Sequence, residues 1–371
     1  MNIGIITWFG GPNYGTNLQA ISLQKYLRKV GYSVQIINYV PPRVGYGKEL
    51  SIWDRIAHQP QKYVNLYSKG KYKQELEQKN NKIQESLCKH CKFTAQITND
   101  EEYVQICNDF DVLVFGSDQI WNPNWYHPWY YADNPIIKAK RVSYAPSMGV
   151  TSLEPEIAEK IRHSLEVFSA VSIREIECVN LLEQCMGIRP ETVLDPTFLL
   201  NREDWSQFIG KEQVAENEYV LSLFLTDNCC HWWAASKLAK KERIKHIVVP
   251  YSGFSYLLHA DVRADTGLED LLSLIRGAKF VLTDSYHVTV FSLIFNKEFY
   301  VFARFKDADD FSQNSRVTNL LDSINLIERL IPYGSRTINL MNPIDYGAVN
   351  HILEMEKKKS RQYLRNALLV K

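Results

Sequence analysis

The chain has 371 residues, a length that suits two domains of ordinary size better than a single core. Hydrophobic residues make up 45% and charged residues 23%, as is typical of folded soluble proteins. With 43 Lys and Arg against 42 Asp and Glu, the formal net charge is +1, so tight nucleic-acid binding through bulk charge is not expected.

Membrane-spanning and secretory signals are not apparent along the chain. No apolar run approaches the ~20 residues that a bilayer-spanning helix needs, and the start "MNIGIITWFG" lacks the basic flank and small-residue cleavage site of a signal peptide. The 7 scattered cysteines predict a reducing, cytoplasmic environment. Cys88 and Cys91 form a C-x-x-C pair with no second pair at suitable spacing, so we expect free thiols and no metal site.

The first elements form a β-α-β unit. Ile3–Trp8 is a short β-branched run that predicts a buried strand, and a glycine-rich loop follows it. Apolar residues then recur at helical spacing up to Val30, with Gly31 at the position of a helix C-terminal cap. Ser33–Val40 predicts the second strand, and this order of elements predicts a parallel sheet.

Residues 41–100 differ from what precedes them, because Lys and Gln dominate and the pattern is helical and polar. We interpret this segment as a helical arm inserted in the first domain, and a solvated helix pair is favoured over a membrane-facing role. Strand and helix patterns then resume up to Asp195–Pro196, where a hinge is expected because the residue before proline disfavours helix. The first domain is therefore predicted to span 1–195.

A second α/β series follows over 196–345. Its predicted strands are "EYVLSLFL", "IKHIVVP", "AKFVLT" and "EFYVFA", each followed by a helical pattern. Residues 346–371 predict a long charged helix, which we expect to cross back onto the first domain. The predicted fold class is α/β, with two Rossmann-type domains facing a cleft.

Polar clusters follow several predicted strands, where open α/β sheets bind their ligands. No cluster is specific alone, because polar loops are common at strand ends and neither GxGxxG nor GxxxxGK occurs. Together they predict a ligand-binding cleft. The clusters are Gly10–Asn17, Gly116–Asn122, Ala145–Gly149, Arg174–Glu175 and Asp284–His287.

His287 follows a predicted strand and is expected in the first turn of a helix capped by Asp284 or Ser285. Helix N-termini carry positive potential that suits phosphate or carboxylate, and a histidine there can act as a general acid or base. The alternative is a histidine that takes part only in helix capping. Arg304 and Arg316 follow this helix in the sequence and can complete an anion pocket, although a surface position is favoured for Arg304.

Three further positions have a functional and a structural interpretation. Arg174 ends an apolar strand and needs an anion, either a ligand or the carboxylate of Glu175 or Asp195. Asp118 is either a catalytic carboxylate or the cap of a turn. The aromatic stretch Trp121–Tyr131 is either a lid that stacks on sugars or a compact hydrophobic loop, and the lid is favoured.

The whole series resembles the polysaccharide pyruvyl transferase family, over most of the chain outside the arm. The most specific pieces are "GSDQIWN" and "TDSYH…FSLIFNK". Supporting pieces are "GPNYGTNLQAISLQKYL", "RVSYAPSMG", "VSIRE", "VLDPTFLL" and "NSRVTNLL".

The resemblance implies a glycosyltransferase-B-like pair of domains that uses phosphoenolpyruvate as donor substrate and no cofactor. It implies transfer of the pyruvyl group onto two hydroxyls of a sugar, as a cyclic ketal on a cell-surface polysaccharide or glycan precursor. A lipid-linked oligosaccharide acceptor, and with it peripheral association with the inner membrane face, is part of this expectation.

We expect the acceptor on the first domain and the donor on the second. The predicted catalytic residues are His287, Asp284 and Asp118. The predicted donor-binding residues are Arg174, Ser285 and Arg316, and the predicted acceptor-binding residues are Asn13, Gly15, Asn17, Gly116, Ser117, Trp121 and Trp125.

One position departs from the family pattern. Members often carry an arginine two positions before the histidine, where this chain has Ser285, and Val288 replaces the usual glycine after it. Two alternatives therefore stay open: a glycosyltransferase that uses a nucleotide sugar, and a non-catalytic glycan-binding relative. A dehydrogenase is disfavoured because "GGPNYGTN" breaks the dinucleotide-binding spacing.

Overall fold

The computed structural model describes residues 1–39, 67, 70–150, 152–187, 189–210, 219–258, 260–263, 266–306 and 314–369. Residues 41–66 of the predicted arm lie outside the described residues. The chain divides into two compact units. The first comprises Met1–Gly47, Leu87–Leu200 and His351–Lys371, and the second comprises Lys48–Ser86 and Asn201–Asn350.

The first unit is built on a parallel sheet of 6 strands in the order β3-β2-β1-β4-β5-β6. Ile3 pairs with Val34 on one side and with Val112 on the other, which places β1 in the middle of the sheet. The strands are β1 Asn2–Ile6, β2 Ser33–Asn38, β3 Phe93–Gln96, β4 Val112–Phe115, β5 Lys140–Ser143 and β6 Phe168–Ala170. A separate parallel pair is formed by β7 Ser172–Ile173 and β8 Glu191–Thr192.

Helices alternate with these strands, and the first of them starts at a side-chain cap. The Asn13 side chain accepts hydrogen bonds from the amides of Gly15 and Thr16 at 3.0 and 3.3 Å, which fixes the start of α1. The helices up to Leu200 are α1 Tyr14–Lys29, α2 Lys73–His90, α3 Asp100–Asn108, α4 Pro155–Leu165 and α5 Glu177–Met186.

The second unit repeats the architecture with a parallel sheet of 6 strands in the order β11-β10-β9-β12-β13-β14. Its central strands are fully buried apolar runs, as expected when helices cover both faces. The strands are β9 Tyr219–Leu223, β10 Lys245–Val248, β11 Val262–Arg263, β12 Phe280–Thr283, β13 Glu298–Phe302 and β14 Leu330–Ile331. The helices after Leu200 are α6 Arg202–Ile209, α7 Cys229–Glu242, α8 Leu268–Gly277, α9 Tyr286–Ile294, α10 Ser315–Ser323 and α11 Tyr346–Leu369.

Both sheets have the same connectivity. When the strands of each are renumbered from its own first strand, the order is 3-2-1-4-5-6, that of Rossmann-type folds. The predicted α/β fold class with two Rossmann-type domains is confirmed.

The arm differs from its predicted placement. In the sequence α2 lies between β2 and β3 of the first unit, yet its residues up to Ser86 belong to the second. Lys79, only 2% exposed, donates from Nζ to the carbonyl oxygen of Pro250 at 3.3 Å and lies over the ring of Tyr251. A polar helical pattern defines the helix but does not specify the domain on which it packs.

The first unit extends past the predicted hinge and ends at Leu200. Asp195 is fully buried and accepts hydrogen bonds from the amide and hydroxyl of Thr197 at 3.0 and 2.7 Å. These bonds start the short 3-10 helix Pro196–Phe198. Asp195 also accepts from Arg174 Nη1 at 2.8 Å, a contact that ties this segment to the first unit.

The final helix α11 begins in the second unit and continues in the first from His351 onward. In the first unit, Ser360 Oγ accepts from the Leu194 amide at 2.9 Å, and the Tyr363 hydroxyl donates to the Ser143 carbonyl at 3.0 Å. Within the described part of the chain, no helix is long and apolar enough to cross a membrane.

Candidate active site

The strand order creates a crevice at the carboxyl edge of each sheet. Neighbouring strands β1 and β4, and likewise β9 and β12, are the pairs at which the order reverses, so the connections leave them in opposite directions. Ligands of open α/β sheets bind at such switch points. Gly116–Asp118 follows β4, and Asp284–His287 follows β12, so two predicted clusters lie at these positions.

In the first unit, the loop after β4 is held in a shape that only glycine permits at its start. Gly116 has φ 125°, and a Cβ there would lie 2.1 Å from the Tyr144 carbonyl oxygen. Ser117, fully buried, donates from its amide to Gln19 Oε1 at 3.1 Å and from Oγ to the Ala145 carbonyl at 2.7 Å. Gly116 and Ser117 therefore fix the loop through their backbone and buried contacts.

Asp118 joins this loop to the first turn of α1. Its Oδ2 accepts from the Thr16 hydroxyl at 2.5 Å, and its Oδ1 accepts from the Gln119 amide at 2.9 Å. The side chain is nearly buried, and the backbone has φ 60°. Asp118 thus acts as the turn acceptor that the structural alternative predicted, while it remains at the carboxyl edge of the sheet.

The predicted acceptor loop Gly10–Asn17 is stabilised from within. Asn17 is fully buried, accepts from the Gly10 amide at 2.7 Å, and donates to the carbonyl oxygens of Asn13 and Gly11 at 2.7 and 3.2 Å. Gly15 is buried and donates its amide to the Asn13 cap. Asn17 and Gly15 therefore set the shape of the loop. Of the three predicted acceptor residues in it, Asn13 is the exposed one.

Arg174 pairs with protein carboxylates. Its Nη1 donates to Asp195 Oδ2 at 2.8 Å, and its Nε lies 3.5 Å from Glu175 Oε1. The side chain is only 4% exposed, and Glu175 also accepts from the Ser147 hydroxyl. The structure therefore favours the protein-carboxylate interpretation of Arg174 over the donor-binding one.

The aromatic stretch forms a compact hydrophobic loop, and the role predicted for Trp121 needs correction. Trp121 is fully buried, its Nε1 donates to the Tyr130 carbonyl at 3.1 Å, and its ring stacks on Tyr131 with centroids 5.5 Å apart. A ring enclosed in this way cannot stack on a sugar. Trp125 is half-buried against Trp8 at 5.4 Å and is the predicted tryptophan that reaches the surface.

In the second unit, Asp284 connects the ends of the two central strands. Its Oδ1 accepts from the Leu225 amide at 2.6 Å, and its Oδ2 accepts from the Thr226 amide and hydroxyl at 3.1 and 2.6 Å. Burial raises the pKa of this carboxyl group, against the opposing effects of the nearby Arg304 and of these hydrogen bonds. Asp284 is 1% exposed, so its contacts make it a positioning residue for the loop after β9.

Ser285 and His287 begin α9. Ser285 is the N-cap residue; its amide donates to Thr283 Oγ1 at 3.0 Å, and its side chain makes no capping hydrogen bond. His287 is the second residue of the helix and is half-buried, with its ring edge-on to that of Tyr286 at 5.3 Å. The predicted side-chain cap is absent from this described helix, and the imidazole lies in its positive first turn.

Two arginines follow on the neighbouring elements. Arg304 is the second residue after β13, the strand next to β12, and its charge acts on Asp284. Asn314 Oδ1 accepts from the amides of Arg304 and Phe305 at 3.0 and 3.3 Å, so the residue before α10 is tied to the end of β13. Arg316 lies in the first turn of α10, and both arginines are half-buried.

Sequence reasoning placed Arg304 at the surface and missed His231. The sequence did carry a signal for Arg304, because a residue that closely follows a strand adjacent to β12 in a parallel sheet lies near the same carboxyl edge. His231 is fully buried on α7, with Nδ1 3.9 Å from Asp284 Oδ2, and burial lowers the pKa of its imidazole to about 4. Its sequence context, "NCCHWW", carries no comparable signal.

No three His, Cys, Asp or Glu side chains are grouped to hold a metal ion among the residues that the structure describes. Cys88 is exposed and Cys91 is buried, and both are free thiols. Burial raises the pKa of the Cys91 thiol to about 12, which leaves it protonated and a poor metal ligand at neutral pH.

Comparisons with known proteins identify the family and the fold. A family model described as polysaccharide pyruvyl transferase matches residues 13–304. The UDP-GlcNAc 2-epimerase of Methanocaldococcus jannaschii is 13% identical, over 97% of this chain and 94% of that one, with a TM-score of 0.50. At this identity the likeness shows the fold alone.

Other solved structures overlap with nearly the whole chain at similar identity. The UDP-GlcNAc 2-epimerase of Neisseria meningitidis is 11% identical, over 99% of this chain and 100% of that one, with a TM-score of 0.47. The UDP-N-acetylglucosamine 2-epimerase of Rickettsia bellii is 12% identical, over 98% of this chain and 96% of that one, with a TM-score of 0.47. A comparison with curated proteins gives no match.

Proposed function

Because the chain belongs to the polysaccharide pyruvyl transferase family, we propose that it transfers the pyruvyl group of phosphoenolpyruvate onto two hydroxyls of a sugar. The product is a cyclic ketal on a cell-surface polysaccharide or on its glycan precursor. The observation that carries the proposal is the switch-point edge of the second sheet, where a helix N-terminus, a histidine and nearby arginines follow adjacent strands.

This edge has the charge that the donor needs. Phosphoenolpyruvate carries a carboxylate and a phosphate, and the N-terminus of α9 offers positive potential and backbone amides to an anion. Ser285 stands where family members often carry an arginine. In this chain Arg304 supplies the positive charge, because it follows the strand adjacent to β12 and its charge acts at Asp284. Arg316, in the first turn of α10, is the second cation of the proposed donor site.

His287 is the proposed acid-base group. Ketal formation delivers a proton to the methylene carbon of the donor, and the carbon bearing the phosphate oxygen is attacked in turn by the two sugar hydroxyls. The two hydroxyls lose one proton each. One proton is balanced by the proton that forms the new methyl group, and the other leaves with the phosphate. An imidazole in the first turn of this helix can act as the general acid and base for these proton transfers.

Asp284 enters the proposal as a positioning residue. Its three hydrogen bonds to Leu225 and Thr226 fix the loop after β9 against the start of α9. For the acceptor we propose the edge of the first sheet, with Asn13, Asp118 and Trp125 as the residues closest to solvent or to the switch point. Arg174 has no direct role in this proposal, because Asp195 and Glu175 are its partners.

A second candidate is transfer of a sugar from a nucleotide sugar. Ser285, in the place of the arginine common in the family, is the observation that favours it, since a change of donor would remove the need for that cation. A non-catalytic glycan-binding relative would keep the fold and lose turnover.

The test is product formation with phosphoenolpyruvate and a panel of nucleotide-linked and lipid-linked sugars. We expect phosphate release together with a pyruvyl ketal on the acceptor, detected by mass spectrometry. His287→Ala should reduce turnover by about 100-fold or more, while the loss of a first-turn side chain costs about 1 kcal/mol of unfolding free energy. His351→Ala, an exposed histidine on α11, is the matched control.

Two results would contradict the proposal. The first is sugar transfer from a nucleotide sugar with no consumption of phosphoenolpyruvate. The second is unchanged ketal formation in the His287→Ala protein.

A further inference from the structure

A groove of about 830 Å³ lies in the first unit between α1 and the C-terminal part of α11. Leu27 and Val30, at the C-terminal end of α1, line the groove. The polar loop of the candidate active site lies at the other, N-terminal end of this helix. Because α1 has 16 residues, its two ends are about 24 Å apart. The groove is therefore distinct from the candidate active site.

The floor and the mouth of the groove are apolar. Leu27 and Leu364 are buried in its floor, together with Leu368. Val30 and Leu369, at the ends of the two helices, are 49% and 61% exposed and lie at the same groove. Two large aliphatic side chains exposed at one groove leave apolar surface in water, which is unfavourable.

A row of cations follows the apolar floor. Lys358, Arg361 and Arg365 line the groove and are spaced by three and four residues, so they lie on one face of α11. Arg361 is fixed there, since its Nη2 donates to the Leu199 carbonyl at 2.8 Å and its guanidinium lies 5.9 Å from the Tyr26 ring centroid.

The other two cations of the row are not neutralised within the helix. Lys357 forms a salt bridge with Glu354 at 2.7 Å, whereas no carboxylate within the described ranges forms one with Lys358 or Arg365. Glu354 is the acid among the lining residues, so the net charge of the groove is positive.

An apolar trough flanked by cations fits an anionic amphiphile. Free phosphate could contact the cationic side chains, but it would leave the exposed aliphatic side chains of the groove in water. Interfacial helices combine exposed aliphatic residues with Lys and Arg in this way, and basic residues near an anionic leaflet strengthen binding by about fivefold each. We infer that this groove binds an anionic phospholipid of a membrane surface, with the headgroup phosphate at Lys358 and Arg365 and an acyl chain along Val30 and Leu369.

The inference does not depend on which donor the active site uses. It gives the expected peripheral membrane association a defined location on the first unit. An acidic amphipathic peptide of another protein is the competing occupant, and the test below separates the two because vesicles contain no protein.

The experiment is co-sedimentation of the full chain with vesicles of phosphatidylcholine, with and without phosphatidylglycerol. We expect binding to the vesicles that contain phosphatidylglycerol and little binding to the others. The double variant Lys358→Gln/Arg365→Gln should bind about 30-fold more weakly, from the loss of two charges near the surface. Lys240→Gln/Lys241→Gln, at the exposed end of α7, changes the net charge equally and should retain binding.

A second variant tests the apolar part. Val30→Ser/Leu369→Ser alters side chains that are already exposed, so folding is retained, as equal thermal unfolding would verify. Vesicle binding should fall in this protein too, because the acyl chain loses its contacts. The inference is overturned if no vesicle binds the protein, which would leave the peptide as occupant, or if the groove variants and the α7 control bind equally.

Discussion

Asp284 and His231 form a buried pair behind the candidate donor site, and they make a pH-dependent contribution to stability. The folded protein keeps His231 neutral, because burial lowers its pKa to about 4, whereas an unfolded histidine titrates near 6.5. Between these two values the unfolded chain binds more protons than the folded one. Stability therefore falls as the pH is lowered from about 6.5 to about 4.

We predict that acidification from pH 7 to pH 5 removes about 2 kcal/mol of unfolding free energy through His231 alone. Asp284 acts in the opposite direction, since its raised pKa lets the folded state take up a proton at low pH. Urea unfolding of the wild type and of His231→Gln at both pH values measures the difference. Equal losses in the two proteins would show that His231 does not titrate in this way.

The elements around the site depend on a few backbone positions, of which Gly116 is the most restrictive. Gly116→Ala combines a left-handed φ with a contact at 2.1 Å from a backbone oxygen that cannot move aside. We predict a loss of about 3 kcal/mol in unfolding free energy. Gly187→Ala at the end of α5, with φ 69° and nothing within 4 Å, should lose only about 1 kcal/mol.

Chemical denaturation of both proteins tests this comparison. The difference between them combines the steric contact at the end of β4 with the less permitted φ of 125° at Gly116, because Gly187, at φ 69°, lies in the left-handed helical region. If Gly116→Ala is as stable as Gly187→Ala, the loop after β4 is more adaptable than the structure indicates.

Most elements could be predicted from the sequence because their patterns are local. Buried apolar runs predicted the central strands, and helical spacing predicted the long C-terminal helix, which the structure has at Tyr346–Leu369. The partner of each side chain could not be predicted in the same way. Arg174 needed an anion on either interpretation, and only the fold shows that Asp195, 21 residues away, supplies it.

The same limit applies to the aromatic stretch and to the arm. Trp121 and Trp125 are equally aromatic in the sequence, but one lies within the core and the other reaches the surface. The polar helix α2 was recognisable, whereas its packing on the second unit depends on contacts such as that of Lys79 with Pro250. Periodicity defines the buried face of an element but not the surface that covers it.

At the scale of the whole molecule, two Rossmann-type units with the same strand order offer two switch-point edges of different character. At the edge of the first unit, hydrogen bonds fix the loop and Asp195 neutralises Arg174, while Asn13 stays exposed and Trp125 half-buried. The edge of the second unit combines a helix N-terminus, a half-buried histidine and two arginines, and it is the edge that suits an anionic donor.

The central claim is that this second edge binds phosphoenolpyruvate, and thermal unfolding in the presence of candidate donors tests it most directly. A ligand that binds the folded state stabilises it by about 2.7 kcal/mol at a hundredfold excess over Kd. We predict that phosphoenolpyruvate raises Tm, that UDP-GlcNAc does not, and that the increase is lost in Arg304→Gln but kept in the exposed control Arg202→Gln. A rise in Tm with UDP-GlcNAc alone, or one with phosphoenolpyruvate that Arg304→Gln retains, would contradict the account.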